Sequence, residues 1–200
     1  PHHLRYVDRA GSKGISLMSD KKQKKLLSFL GTTYGNLSEK ERNDFLKELS
    51  RSMCPSDHFL LGVDLIKDQA IIETAYNDSA GLTAKGVFEM LIALNEQFNA
   101  NFKLENFSYE ARFEKDRQCV ASYLVSKKDH VVKIDRFGID ITFYEGEEIE
   151  AEIYQKFHLP ELLSYISSFG LRPVKVAVDD EIPYALLLFS GPKENAPAAE

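Results

Sequence analysis

The sequence predicts an α/β fold: a partial doubly wound sheet with an inserted α+β region that contains an antiparallel meander. Three observations predict it. Two short apolar runs flank a capped amphipathic helix near the start, β-rich runs broken by polar turns fill the middle, and a helix followed by two apolar runs closes the chain.

Residues 26–30 are an apolar run stopped by Gly31, the pattern of a buried parallel strand. Ser38 with Glu41 three residues later makes a capping box, and Phe45, Leu46 and Leu49 recur at helical spacing, so a helix spans about 39–50 until Pro55 ends the segment. Residues 59–63 read as a second buried strand, giving a β-α-β unit with a right-handed crossover. Asn36 and Asp64 then fall at or just beyond the carboxyl ends of neighbouring parallel strands, the edge where open α/β sheets bind ligands.

Residues 69–97 are mainly helical, interrupted near Gly81 and restarted around Thr83, with Val87, Phe88, Leu91, Ile92 and Leu94 burying one side. Residues 110–113, 119–126, 131–134 and 139–143 read as strands of an antiparallel meander. A helix over 160–169 stops at Gly170, and 173–178 with 184–189 form two closing strands around a turn at 179–183. The organisation expected is therefore a leader-like or tag-like segment at 1–20, an α/β part at 21–65 that resumes at 156–190, an insertion at 66–155, and a Pro-, Ala- and Glu-rich disordered tail at 191–200.

Composition excludes several function classes. With 200 residues, 44% hydrophobic and 28% charged, the chain reads as soluble and globular. A net charge of −6 gives no footprint for nucleic acid, and the basic run Lys21-Lys22-Gln23-Lys24-Lys25 lacks interleaved aromatics. No apolar stretch approaches the ~20 residues of a membrane helix, and residues 1–18 have no secretory apolar region. Cys54 and Cys119 lack metal-ligand spacing, which predicts a reduced, cytoplasmic setting. His58, His130 and His158 are scattered without a partner at metal spacing and are assigned no role.

Three segments carry the chemistry. They are Phe29-Leu30-Gly31-Thr32-Thr33-Tyr34-Gly35-Asn36-Leu37; Leu61-Gly62-Val63-Asp64-Leu65-Ile66-Lys67-Asp68 running into Ala75-Tyr76-Asn77-Asp78 and Thr83-Ala84; and Glu145-Gly146-Glu147-Glu148 through Glu152 to Lys156-Phe157. Singly, each has a bland reading. Asn36 fits a turn residue tolerating a left-handed conformation, Tyr76 a helix aromatic packed on the core, Glu152 a member of a solvated acidic run, and Asp64 with Lys67 a surface pair worth under ~1 kcal/mol.

As an ordered set at this spacing, the segments resemble the histidine-specific, S-adenosylmethionine-dependent methyltransferases of ergothioneine biosynthesis, over residues 26–189 and the C-terminal part of that family. The resemblance implies a Rossmann-like methyltransferase sheet with an inserted substrate domain. It also implies that Asn36 and Tyr76 hold the amino and carboxylate head of an amino-acid substrate, and that Glu152 accepts a hydrogen bond from an N–H of its side-chain ring. An amide offers donor and acceptor, a phenol donates to a carboxylate, and a carboxylate pairs with an imidazole N–H. Methyl transfer from a sulfonium needs an aimed, neutral amine, so positioning and desolvation matter most.

The departures from the family are as informative. A pocket-shaping Phe-Asn-x-Asn run is replaced by Gly86-Val87-Phe88-Glu89, a small hydroxyl residue two positions after Glu152 by Tyr154, and a methionine in the meander by Ser122. Together they reshape the substrate pocket. The glycine-rich turn and the acidic residue that hold S-adenosylmethionine in the family have no counterpart, and Gly31-x-x-x-Gly35 does not substitute for them. The expectation is a truncated chain that keeps a small amino-acid-like ligand site and is inactive alone. Alternatively, it is a non-catalytic ligand-binding module, or a homodimer joined through the apolar edge of strand 26–30, an edge that an N-terminal partner would otherwise cover.

Overall fold

The structure, a computed structural model, describes residues 24–179 and 181–193. The leader-like segment at 1–20 and residues 194–200 of the tail lie outside the described residues. Gly191 itself is buried, and its N–H bonds the Asp57 carbonyl at 3.1 Å. The described elements are β1 (Leu26–Phe29), α1 (Glu39–Ser52), β2 (His58–Asp64), α2 (Gln69–Tyr76), α3 (Leu82–Phe98), β3 (Phe107–Glu114), β4 (Cys119–Ser126), β5 (His130–Ile134), β6 (Ile139–Phe143), β7 (Glu148–Gln155), α4 (Leu159–Ser168), β8 (Arg172–Val178) and β9 (Tyr184–Ser190).

The first sheet grows out of period-2 alternation. Phe59, Leu61 and Val63 of β2 and Ala185, Leu187 and Phe189 of β9 point to one face, where Leu46 and Leu49 of α1 and Leu162 and Ile166 of α4 cover them. The capping box starts α1 as expected: the Ser38 hydroxyl accepts from the Glu41 N–H, and the Glu41 carboxylate accepts from the Ser38 N–H. Such a cap is worth about 1 kcal/mol.

Strand order is β1-β2-β9-β8, with β1 and β2 parallel and the other pairs antiparallel. Only one pair is thus parallel, because β8 and β9 are joined by a short turn that admits only a hairpin. Among the described residues strand β1 lies at the sheet edge rather than buried between strands, with Leu26 64% exposed.

The expected meander is also corrected. Strand β4 is buried along nearly its whole length, so it needs partners on both edges. They are β3 and β7, not β5. Strands β5 and β6 instead form a separate hairpin, turned by Gly138 at φ +62°. Strand β7 occupies residues that the sequence presents as an acidic run.

The two sheets are stitched where β2 and β7 end. The Phe157 N–H bonds the Asp64 carbonyl at 3.2 Å, the Ile66 N–H bonds the Phe157 carbonyl at 3.1 Å, and the Lys156 N–H bonds the Gln118 carbonyl at 2.8 Å. This seam brings the end of β7 to the carboxyl end of the β1–β2 pair.

Candidate functional site

At that seam, side chains from four elements converge. Lys156, just past β7, has a side chain with 0% exposure. Its ammonium donates to Asp64 Oδ2 at 2.7 Å, at the end of β2, and to the phenol oxygen of Tyr76 at 2.7 Å, at the end of α2. Lys67 donates to the other oxygen, Asp64 Oδ1, at 2.8 Å. The Asp64–Lys67 pair is therefore no surface pair, since both side chains are about nine-tenths buried. A buried carboxylate and two ammonium groups require this mutual satisfaction.

The tyrosines extend the cluster. The Tyr76 ring lies 4.7 Å from that of Tyr154, and the Tyr154 hydroxyl donates to the Glu152 carboxylate. The Tyr109 hydroxyl donates to the Tyr76 carbonyl at 3.1 Å and shares a 3.1 Å hydrogen bond with the Ser122 hydroxyl. Ser122 is buried and pairs with Glu152 across the β4–β7 ladder. Beneath them, Ile72, Ala111 and Val120 form an apolar floor.

Burial sets the protonation of these groups. It pushes the Tyr76 phenol up to about 12, with the Asp64 charge adding to the effect. Burial and then the Glu152 carboxylate raise Tyr154, and burial raises Tyr109. The Lys156 amine is drawn down by burial, against its hydrogen bond to Asp64. All three phenols are accordingly neutral donors near pH 7.

Asn36 reaches this region through a close approach. The 3-10 turn Thr33–Asn36 follows β1, and Gly35 packs so tightly that an added Cβ would stand 2.6 Å from the Gln155 carbonyl oxygen. Half-exposed beside that contact, the Asn36 amide has no hydrogen bond among the described residues. Gly86 is not drawn in. It sits on the exposed side of α3, where a Cβ would meet nothing within 4 Å. An open groove of about 610 Å³ between α3 and β3, lined by Gly81, Lys85 and Phe88 among others, shares Tyr109 with the cluster but not Tyr76, Glu152 or Lys156.

Of the expected site residues, Tyr76, Ser122, Glu152 and Tyr154 are thus brought together, Asn36 stands at the rim, and Gly86 is apart. Sequence reasoning missed Lys156 and Tyr109. The signal for Lys156 was present: Glu152-x-Tyr154-x-Lys156 has the spacing that puts three side chains on one face of a strand. Among the described residues no group of His, Cys, Asp and Glu could hold a metal ion.

Comparison with known proteins bears on the same residues. A family model described as histidine-specific, S-adenosylmethionine-dependent methyltransferase matches residues 3–191. A histidine N-alpha-methyltransferase of Mycolicibacterium smegmatis is 32% identical over 149 residues, covering 74% of this chain and 46% of that protein. That of Mycobacterium tuberculosis is 30% identical over 165 residues, covering 82% and 51%. An L-tryptophan methyltransferase of Psilocybe serbica is 29% identical over 167 residues, covering 80% and 45%. The chain spans about half the length of the curated relatives it matches. With the match running through all three segments that carry the chemistry, the chain belongs to the histidine-specific, S-adenosylmethionine-dependent methyltransferase family.

Proposed function

We propose that this chain forms the amino-acid-gripping part of an S-adenosylmethionine-dependent N-methyltransferase and has no turnover by itself. The observation that carries the reading is the convergence of Tyr76, Glu152 and Tyr154 around the buried Asp64–Lys156 pair, with Asn36 at the rim, at the carboxyl end of parallel strands. Neutral phenols, an amide without a hydrogen bond among the described residues, and ammonium groups balanced by carboxylates suit the zwitterionic head of an amino acid.

The described residues do not fit the cofactor as well. Gly31 is engaged in both directions by the Tyr184 hydroxyl, at 3.1 and 3.2 Å, and Gly35 is closed off against Gln155, so neither offers an open cradle for a nucleotide. Asp64, the acidic residue at a strand end, is held by two lysines. Among the described residues, the side chains of this cluster suit the amino-acid end better than the nucleotide.

Histidine is disfavoured as the ligand. The Tyr154 hydroxyl donates to one oxygen of the Glu152 carboxylate and so competes with an imidazole N–H for it, and its ring adds bulk beside Tyr76. A cytoplasmic setting belongs to the same proposal, in keeping with the free Cys54 and Cys119. No helix of the described residues is long and apolar enough to cross a membrane.

The test is calorimetric titration of the purified chain with a panel of amino acids, with and without S-adenosylhomocysteine. Saturable amino-acid binding without turnover is expected; nucleotide binding followed by methyl transfer would replace the reading with that of a complete enzyme, and absence of any amino-acid binding would sink it. The exposed edge of β1 favours a second reading, a homodimer with a continuous sheet. Sedimentation of the chain and of a Ser28→Pro variant tests it, since proline there would break such a dimer.

A further inference from the structure

Resting on the amino-acid-site reading, we infer that Lys156, anchored by Asp64, is a positioning residue that turns the Tyr76 phenol into an outward donor for a ligand carboxylate. The argument is one of hydrogen inventory. An ammonium has donors and no acceptor, so in the 2.7 Å contact it is the Tyr76 oxygen that accepts. The phenol's own hydrogen is then left over, and among the described residues it has no acceptor: the Tyr76 oxygen has no other hydrogen bond, and Tyr154 gives its proton to Glu152.

The hydroxyl hydrogen is thereby left for a ligand to accept. Accepting from a cation also polarises the O–H and strengthens it as a donor. With Glu152 counted, the two ammonium groups and two carboxylates of the cluster balance, so the phenol hydrogen is the group left without a partner. A hydrogen-bond acceptor completes the inventory, and a carboxylate is the amino-acid group that does so most strongly. Lys156 cannot turn aside: its side chain is fully buried, its Nζ stands 4.6 Å from the centre of the Tyr76 ring, and Asp64 holds it from the other side.

The experiment uses the full chain with tyrosine labelled at 13Cζ, the Tyr76 signal being assigned by its loss in Tyr76→Phe. Sodium acetate, L-leucine and L-leucinamide are titrated in turn. Acetate and leucine are expected to move the Tyr76 signal, while leucinamide, which lacks the carboxylate, leaves it in place. Lys156→Met should weaken the response to acetate at least tenfold. Should that variant unfold, Lys156→Met with Asp64→Asn and Lys67→Met removes all three charges together and is expected to give the same loss in a folded chain.

An equal response to leucinamide, or a response to acetate that survives removal of Lys156, would overturn the inference while leaving an amino-acid site intact. Acetate moving Tyr76 in a Lys156-dependent way with no amino acid bound would sink the amino-acid reading and sustain the inference. A Tyr76 signal indifferent to every carboxylate refutes it.

Discussion

The two faces of the β3-β4-β7 sheet use similar charged residues to opposite ends. On the outer face, Arg117 bridges Glu114 at 2.8 Å and Glu150 at 2.6 Å, and Arg112 pairs with Glu148 and lies 4.4 Å over the Tyr123 ring. Those arginines are more than two-fifths exposed. On the inner face, Glu152, Tyr154 and Lys156 meet α2 and the end of β2, and the Lys156 side chain has no exposure at all. Strand β7 supplies both sets. Its alternation alone would send Glu148, Glu150 and Glu152 to the same side, but the ladder shifts register there: Tyr123 pairs with Glu150 and Ser122 with Glu152, which leaves Ala151 as an extra residue. The bulge turns Glu152 inward and with it Tyr154 and Lys156. The charge run is thus solvated in its first half and turned inward in its second.

The largest effect expected from breaking this contrast comes from the inner face. Lys156→Met leaves Asp64 buried with Lys67 as its remaining cation, and should cost about 3 kcal/mol, the low end for an interrupted buried pair. Urea unfolding measures it. Adding Asp64→Asn should deepen the loss, because Lys67 is then left largely buried without its carboxylate. Fully additive losses would mean that the pair is not coupled.

Next in size is the joint that brings the two sheets' ligand edges together. Gly35→Ala places a Cβ 2.6 Å from the Gln155 carbonyl oxygen, a backbone atom that cannot swing away. We expect about 2 kcal/mol of destabilisation from overpacking. Amino-acid affinity should fall beyond what stability explains, since Asn36 is displaced from β7. An unchanged affinity would remove Asn36 from the site.

These residues also mark how far the sequence could be read. The capping box at Ser38 and Glu41, the break at Gly81 and the closing hairpin were legible because each rests on local chemistry. Tyr76 and Glu152 were found only through the spacing of whole segments, since neither differs locally from a packed aromatic or a solvated acid. The partner of β4 was not legible, because pairing a strand with one more than twenty residues away depends on which edge is buried, not on the turn beside it. Lys156 was hidden by the same cause: without β7 as a strand, its alternation with Glu152 and Tyr154 had no face to share.

A smaller effect tests the specificity of the inner face. Tyr154→Phe removes the hydroxyl that occupies Glu152 and leaves the ring against Tyr76. Freed, the carboxylate should accept an imidazole N–H, raising affinity for L-histidine by on the order of 1 kcal/mol, about fivefold, in calorimetric titration. Affinity for amino acids with aliphatic side chains should not rise. A gain shared by both would place the effect in pocket volume rather than in the carboxylate.

The smallest effect is expected on the outer face. Arg117→Ala removes two ion pairs at once, yet the arginine is 44% exposed and water can replace both partners. Exposed pairs of this kind are worth within about 1 kcal/mol, less in salt. Unfolding in low and high salt should therefore differ little from the parent chain, and amino-acid affinity should not change. If Arg117→Ala instead cost as much as Lys156→Met, or weakened amino-acid binding, the outer network would be holding the β7 bulge in register, and the two faces would act as one device rather than two.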